Sequence, residues 1–125
     1  MTLMKTRIFE ERRRFEESSI LFKSEKREAI DAAISTIRVH RMELVTYIAL
    51  HPEFRHALSP ISVETEAPRI VKLMEQSTIR FEVGPMAAVA GVLVDLAVES
   101  MVSVEAKIAI VENGGEVSAS SQESS

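Results

Sequence analysis

The sequence predicts an α+β domain. Three observations carry that reading: strand-like runs near the N-terminus, two long helical stretches of opposite character in the middle, and a β-branched run near the C-terminal end. At 125 residues and 13.9 kDa, one domain over residues 1–117 is expected, followed by a disordered polar tail over 118–125.

Residues 5–23 read as two strands in a hairpin. Arg7-Ile8-Phe9 and Ser19-Ile20-Leu21-Phe22 are compact β-type runs, and no helical apolar stripe joins them. Arg12-Arg13-Arg14 suggests phosphate binding, but Glu10, Glu11, Glu16 and Glu17 nearly cancel its field, which favours a solvated face or edge. From about 25 to 50 the spacing of Ile30, Ile34, Ile37, Leu44, Val45 and Ile48 gives one apolar helix face. Ser24 serves as N-cap, Glu25 and Glu28 favour the positive dipole end, and Pro52 pushes His51 out of the α region. A shorter helix follows over 67–77, with Pro68 in its first turn. The stretch 85–104 is apolar almost all round, so a buried helix is expected there, with Asp95, Glu99 and Ser103 stacked on one narrow stripe. Residues 107–111 read as a strand leading into Asn113-Gly114, the signal of a type I′ hairpin turn. The polar run Ser118 to Ser125 offers nothing to bury, so the returning strand is expected to be missing.

Composition excludes several functions. Without cysteine there is no disulfide, Cys-ligated zinc, iron–sulfur cluster or thiol nucleophile. A net charge of −4 argues against sequence-independent nucleic-acid binding. The charged N-terminus resembles no signal peptide, and Val83 to Val94 is too short to span a bilayer, so a cytoplasmic protein with no membrane partner is expected. His51 and His56 flank Glu53, but their spacing matches no standard metal motif, and a structural role is favoured. His40, between Arg38 and Arg41, is expected at the surface. The Asp95–Glu99 pair is read as one wet stripe rather than an acid/base or cation site. No nucleophile elbow, P-loop or dinucleotide fingerprint is present, and no residue is assigned a catalytic role.

Two features remain. Gly84-Pro85-Met86-Ala87-Ala88 delivers a glycine turn into a helix start with small side chains, which can present backbone N–H groups to an anion. Glu112-Asn113-Gly114-Gly115 ends a strand on two glycines that let a ligand approach the main chain. The two are expected to share a cleft for a small phosphorylated ligand, with N–H groups of Met86, Ala87 and Ala88 and the Asn113 side chain as donors. An ordinary helix start and an ordinary hairpin are the alternatives.

The run Val83 to Gly91 (Val-Gly-Pro-Met-Ala-Ala-Val-Ala-Gly), followed by Ile110 to Gly115 (Ile-Val-Glu-Asn-Gly-Gly), resembles a prokaryotic family of the ApbE-like superfamily. His51-Pro52-Glu53-Phe54 and Ala67-Pro68-Arg69-Ile70-Val71 stand where that family carries similar text, and the likeness covers Ile20 to Glu116. It implies helices packed on a mainly antiparallel sheet. ApbE proper is a flavin transferase that uses magnesium to move FMN from FAD onto a protein threonine or serine. No activity is established for the nearer family, so FAD or FMN is implied only at superfamily distance. Two departures matter: Glu116 stands where family members commonly carry aspartate, and the family's second half, with its Thr-Ser-Ser-Gly-type segment, has no counterpart here. The resemblance therefore implies an incomplete ApbE-like domain, inactive as this fragment, whose parent binds a flavin or another phosphorylated ligand. The alternative is a non-catalytic module that self-associates, as a homo-oligomer, through the sheet edge left open after Gly115.

Overall fold

Alternating burial builds the sheet. In the computed structural model, which describes residues 7–122, strands β1 (Phe9–Phe15), β2 (Ser18–Ser24), β3 (Ile108–Asn113) and β4 (Glu116–Ser121) form one sheet in the order β1-β2-β3-β4. Every neighbouring pair is antiparallel. Ile20, Phe22 and Ser24 of β2 are buried and lie opposite the buried Asn113, Val111 and Ala109 of β3. Helices pack against this sheet, as the α+β reading expects.

The helices are α1 (Arg27–Leu50), α2 (Pro52–His56), α3 (Arg69–Ile79) and α4 (Val89–Ser103), with a 3-10 turn over Pro85–Ala88 before α4. The molecule divides into two compact units: one uses residues up to Thr36 and from Val94 onward, the other Ile37–Leu93. The first unit holds the sheet with Ala29, Ile30, Ala33 and Ile34 of α1 and Leu96, Ala97, Val98 and Met101 of α4 in its core. The second is helical, with Ile37, Tyr47, Phe54, Ile70, Val71 and Met74 buried.

Four expectations change. First, the missing strand exists. Residues 116–121 form β4, and Ser118 and Ser120 pair with Val111 and Ala109. The expected disorder of the tail therefore fails over 118–121, and residues 123–125 lie outside the described residues. No hydrophobic alternation announces β4. Its ladder is made by backbone groups, and the inward-facing positions are small serines that need only partial burial. The open edge on which self-association rested is thereby occupied. Second, the hairpin turn lies one residue later. Asn113 pairs with Glu116, so Gly114 and Gly115 are the central residues. Only Gly114 has positive φ, 63°, the sign pattern of a type II′ rather than a type I′ turn.

Third, the stretch 85–104 opens as a 3-10 turn, and α4 itself begins at Val89. Together, Pro85–Ser103 spans 19 residues and is long and apolar enough to cross a bilayer by length and composition. The helix thus carries the apolar character past Asp95, beyond the Val83–Val94 run. Asp95, Glu99 and Ser103 do form an exposed stripe, and the intervening Leu96, Ala97, Val98 and Met101 are core residues. Fourth, His40 is half-buried rather than fully exposed. Its side chain is 18% exposed, and its Nδ1 lies 3.0 Å from Glu43 Oε1 but off the direction of a hydrogen bond.

The charged hairpin forms as expected at the sheet edge. Arg12 and Arg14 are exposed, whereas Glu11 points to the other face and is held by Arg13 (2.6 Å) and Arg27. Ser24 is buried and its Oγ accepts a hydrogen bond from Lys26 N (3.1 Å), tying the end of β2 to the start of α1.

Candidate functional site

The two predicted segments fall in different units. In the helical unit, Gly84 is buried, and a Cβ built there would stand 1.8 Å from the Ala57 carbonyl oxygen. Its missing side chain is therefore required by chain packing, and its backbone is extended (φ −67°, ψ 155°) rather than left-handed. Pro85 is buried too. Ala87 N donates to Gly84 O (3.2 Å) and Val89 N to Met86 O, so part of the expected donor set is already used by the 3-10 turn. Met86 and Ala88 are half-buried and Ala87 is exposed.

In the sheet unit, Glu112 is half-buried and Asn113 buried. Gly114 and Gly115 are exposed, with nothing within 4 Å of a Cβ added to either. The turn is sterically open, as expected, and Gly114 is needed for its positive φ.

The sequence reading missed two clefts in the helical unit. The first, of about 240 Å³, is lined by Arg41, Leu44, Val45 and Ile48 of α1, Arg55 of α2, and Met86, Val89 and Leu93. Among the described residues, its charged lining is Arg41 and Arg55. The spacing 41-44-45-48 is one face of α1, so that face was legible; that Met86 and Arg55 meet it required the tertiary fold.

The second cleft, of about 380 Å³, is lined by Met42, Glu43, Thr46, Tyr47, Leu50, His51, Glu64, Glu66, Ala67 and Pro68. Tyr47 and His51, four residues apart across the end of α1, stack with ring centroids 4.0 Å apart and planes 14° apart. His51 can stack there because Pro52 holds it out of the helix, at φ −135° and ψ 71°. Its Nδ1 lies 3.1 Å from the Tyr47 carbonyl, which only accepts, so Nδ1 carries the hydrogen. Phe54 packs edge-on against the Tyr47 ring (centroids 5.3 Å, 81°). Glu64 accepts a hydrogen bond from the Tyr47 hydroxyl (3.3 Å) and lies 3.9 Å from His51 Nε2. Burial, then the Glu64 carboxylate, push the Tyr47 hydroxyl up to about 12. The phenol thus remains a donor throughout the neutral range. His56, by contrast, is exposed at the end of α2.

Comparison with known proteins places this chain. It is 47% identical over 88 residues to a UPF0280 protein of Methanosarcina acetivorans, covering 70% of this chain and 35% of the relative. A UPF0280 protein of Methanococcus maripaludis is 40% identical over 111 residues, covering 89% of this chain and 45% of the relative. One from Methanopyrus kandleri is 36% identical over 102 residues, covering 82% and 41%. The chain thus spans less than half the length of these curated relatives. The family model AbpE_bact (AbpE bacteria) matches residues 10–125, nearly the whole sequence, and the chain belongs to that family.

Proposed function

We propose that the protein binds a phosphorylated small molecule, with flavin nucleotides the first ligands to test, at the Arg41–Arg55–Met86 cleft. The single observation that carries this is the lining: Arg41 and Arg55 stand beside an apolar wall of Leu44, Val45, Ile48, Val89 and Leu93. A guanidinium presents a planar fork of donors suited to phosphate oxygens, and an apolar wall suits a ring or chain attached to that phosphate. Met86 belongs to the segment that the sequence singled out, and the resemblance to the ApbE-like superfamily supports the flavin class. A volume of about 240 Å³ is below that of most drug-sized ligand sites, so this chain holds one end of such a ligand, weakly.

The test is a titration of the chain with FMN, FAD and inorganic phosphate, following backbone amides. FMN is expected to shift Met86, Ala87 and Ala88, and Arg55→Ala to weaken that response about tenfold. The amides of Asn113, Gly114 and Gly115 test the second predicted segment in the same spectra. Saturation with FMN that leaves residues 86–88 unmoved, or that Arg55→Ala does not weaken, overturns the proposal.

A further inference from the structure

The Tyr47–His51–Glu64 cleft has a lining opposite in charge to the phosphate cleft. Glu43, Glu64 and Glu66 stand around it, and among the described residues that line it there is no lysine or arginine. Lys72 of α3 donates to the Thr65 carbonyl, between Glu64 and Glu66 (Nζ to O 3.1 Å). Between the carboxylates the wall is apolar: Met42, Leu50, Ala67, Pro68 and the buried Tyr47 ring. At about 380 Å³ the cleft falls within the range of small-molecule sites. Met42 and Leu50 are 67% and 74% exposed, so its apolar surface is open to an occupant.

We propose that this cleft binds a primary amine carried on an apolar chain, with the ammonium at Glu64 and the chain along Met42, Leu50 and Pro68. Charge complementarity selects the occupant. An anion would meet three carboxylates, whereas an ammonium meets their acceptor oxygens. Among the described residues no group of three or more acidic or histidine side chains has the geometry to hold a metal ion, which leaves an organic cation as the matching class. Glu64 is the anchor because the Tyr47 hydroxyl occupies Oε2 and His51 Nε2 stands off at 3.9 Å from Oε1. That separation is longer than a hydrogen bond, so Oε1 retains acceptor capacity for an ammonium hydrogen. The Tyr47–His51 stack fixes the cleft floor, and the Val63 N–H bond to Glu75 Oε2 (2.8 Å) anchors the loop that carries Glu64. This site involves a different face of α1 from the phosphate cleft and does not depend on that reading.

Tyr47 is the chain's single tyrosine and there is no tryptophan, so its fluorescence reports the cleft directly. Hexylamine, hexanol and hexanoate have the same chain length and no absorbance of their own in that range. Hexylamine is expected to change Tyr47 emission saturably and to shift the amides of residues 42–51 and 64–68. Hexanol should bind about tenfold more weakly and hexanoate not at all, as expected when a charge-assisted bond is replaced by a neutral one or by repulsion. Glu64→Gln, checked for native circular dichroism, should weaken hexylamine about tenfold while Asp95→Asn, the same charge change on α4, leaves it unchanged. If Glu64→Gln does not fold, Glu66→Gln gives the milder loss expected at the rim. Equal binding of all three probes, absence of saturable hexylamine binding, or equal effects of the Glu64 and Asp95 variants overturns the proposal.

Discussion

At the scale of single residues, the end of α4 shows how backbone conformation constrains a side chain. Ala106 N donates to Met101 O (3.1 Å) and Glu105 N to Val102 O (2.9 Å), the paired bonds of a Schellman motif. The position that this motif usually gives to glycine is taken by Glu105, at φ 66°. A side chain there meets the backbone sterically, and Glu105 is exposed, with no packing to offset the cost. Glu105→Gly is therefore expected to stabilise the protein by about 1 kcal/mol, net of the entropy glycine adds to the unfolded chain, seen as a higher denaturation midpoint at unchanged slope. An unchanged or lower midpoint would show that the left-handed position costs less than the added freedom. Val104 O, on the same turn, accepts from Lys26 Nζ (2.9 Å), so a cation meets the carbonyl end of the helix where the macrodipole favours it.

At the scale of elements, two joints carry most of the information. The 3-10 turn over Pro85–Ala88 sits against α2 and α3, and Gly84 is what lets the chain pass Ala57. Gly84→Ala would drive its methyl into the Ala57 carbonyl, whose backbone has little freedom to move away. A loss of about 1–3 kcal/mol or more is expected, measured by thermal or denaturant unfolding. A near-neutral Gly84→Ala would mean that the loop carrying Ala57 moves freely. The other joint is β4. Deleting residues 116–125 would strip the ladder from β3 and expose Val111 and its neighbours as a new edge. Faster amide exchange over Ile108–Asn113 and concentration-dependent association should follow. Unchanged exchange there would show that β4 contributes nothing to the sheet.

At the scale of the whole molecule, the sheet unit is closed by carboxylates reaching across the sequence. Glu25 accepts bonds from Lys107 N (2.7 Å) and Ile108 N (2.9 Å), pinning the start of β3 beside the start of α1. Burial pushes Glu25 up, but those two N–H groups, with Ser24, more than reverse it and leave it below the ordinary 4.5. Glu11 is lowered as well, chiefly by its hydrogen bond from Arg13. A lowered folded-state value means stability that is present above 4.5 and lost as pH falls through the folded value. Denaturant unfolding titrated into acid should therefore show declining stability, and Glu25→Gln should flatten the decline more than Glu11→Gln. The Glu11 network, whose arginine partners Arg13 and Arg27 are 38% and 48% exposed, is expected to contribute less than about 1 kcal/mol, as solvent-screened ion pairs do. An equal acid response in wild type and Glu25→Gln would remove Glu25 from the account. By itself the sequence determined what local physics can write: the period of α1, the β-type runs of β1 and β2, the stop at Pro52, the polar stripe of α4 and the glycine turn after β3. Each depends on neighbours a few residues away. Only the tertiary structure decided the rest. β4 is a strand because β3 offers it a ladder, Gly84 is glycine because Ala57 passes beside it, and Arg55 joins Arg41, as Glu64 joins Tyr47, through folding of loops that no periodicity marks. Those are contacts between residues distant in sequence, and their energy appears only once the chain has closed on itself.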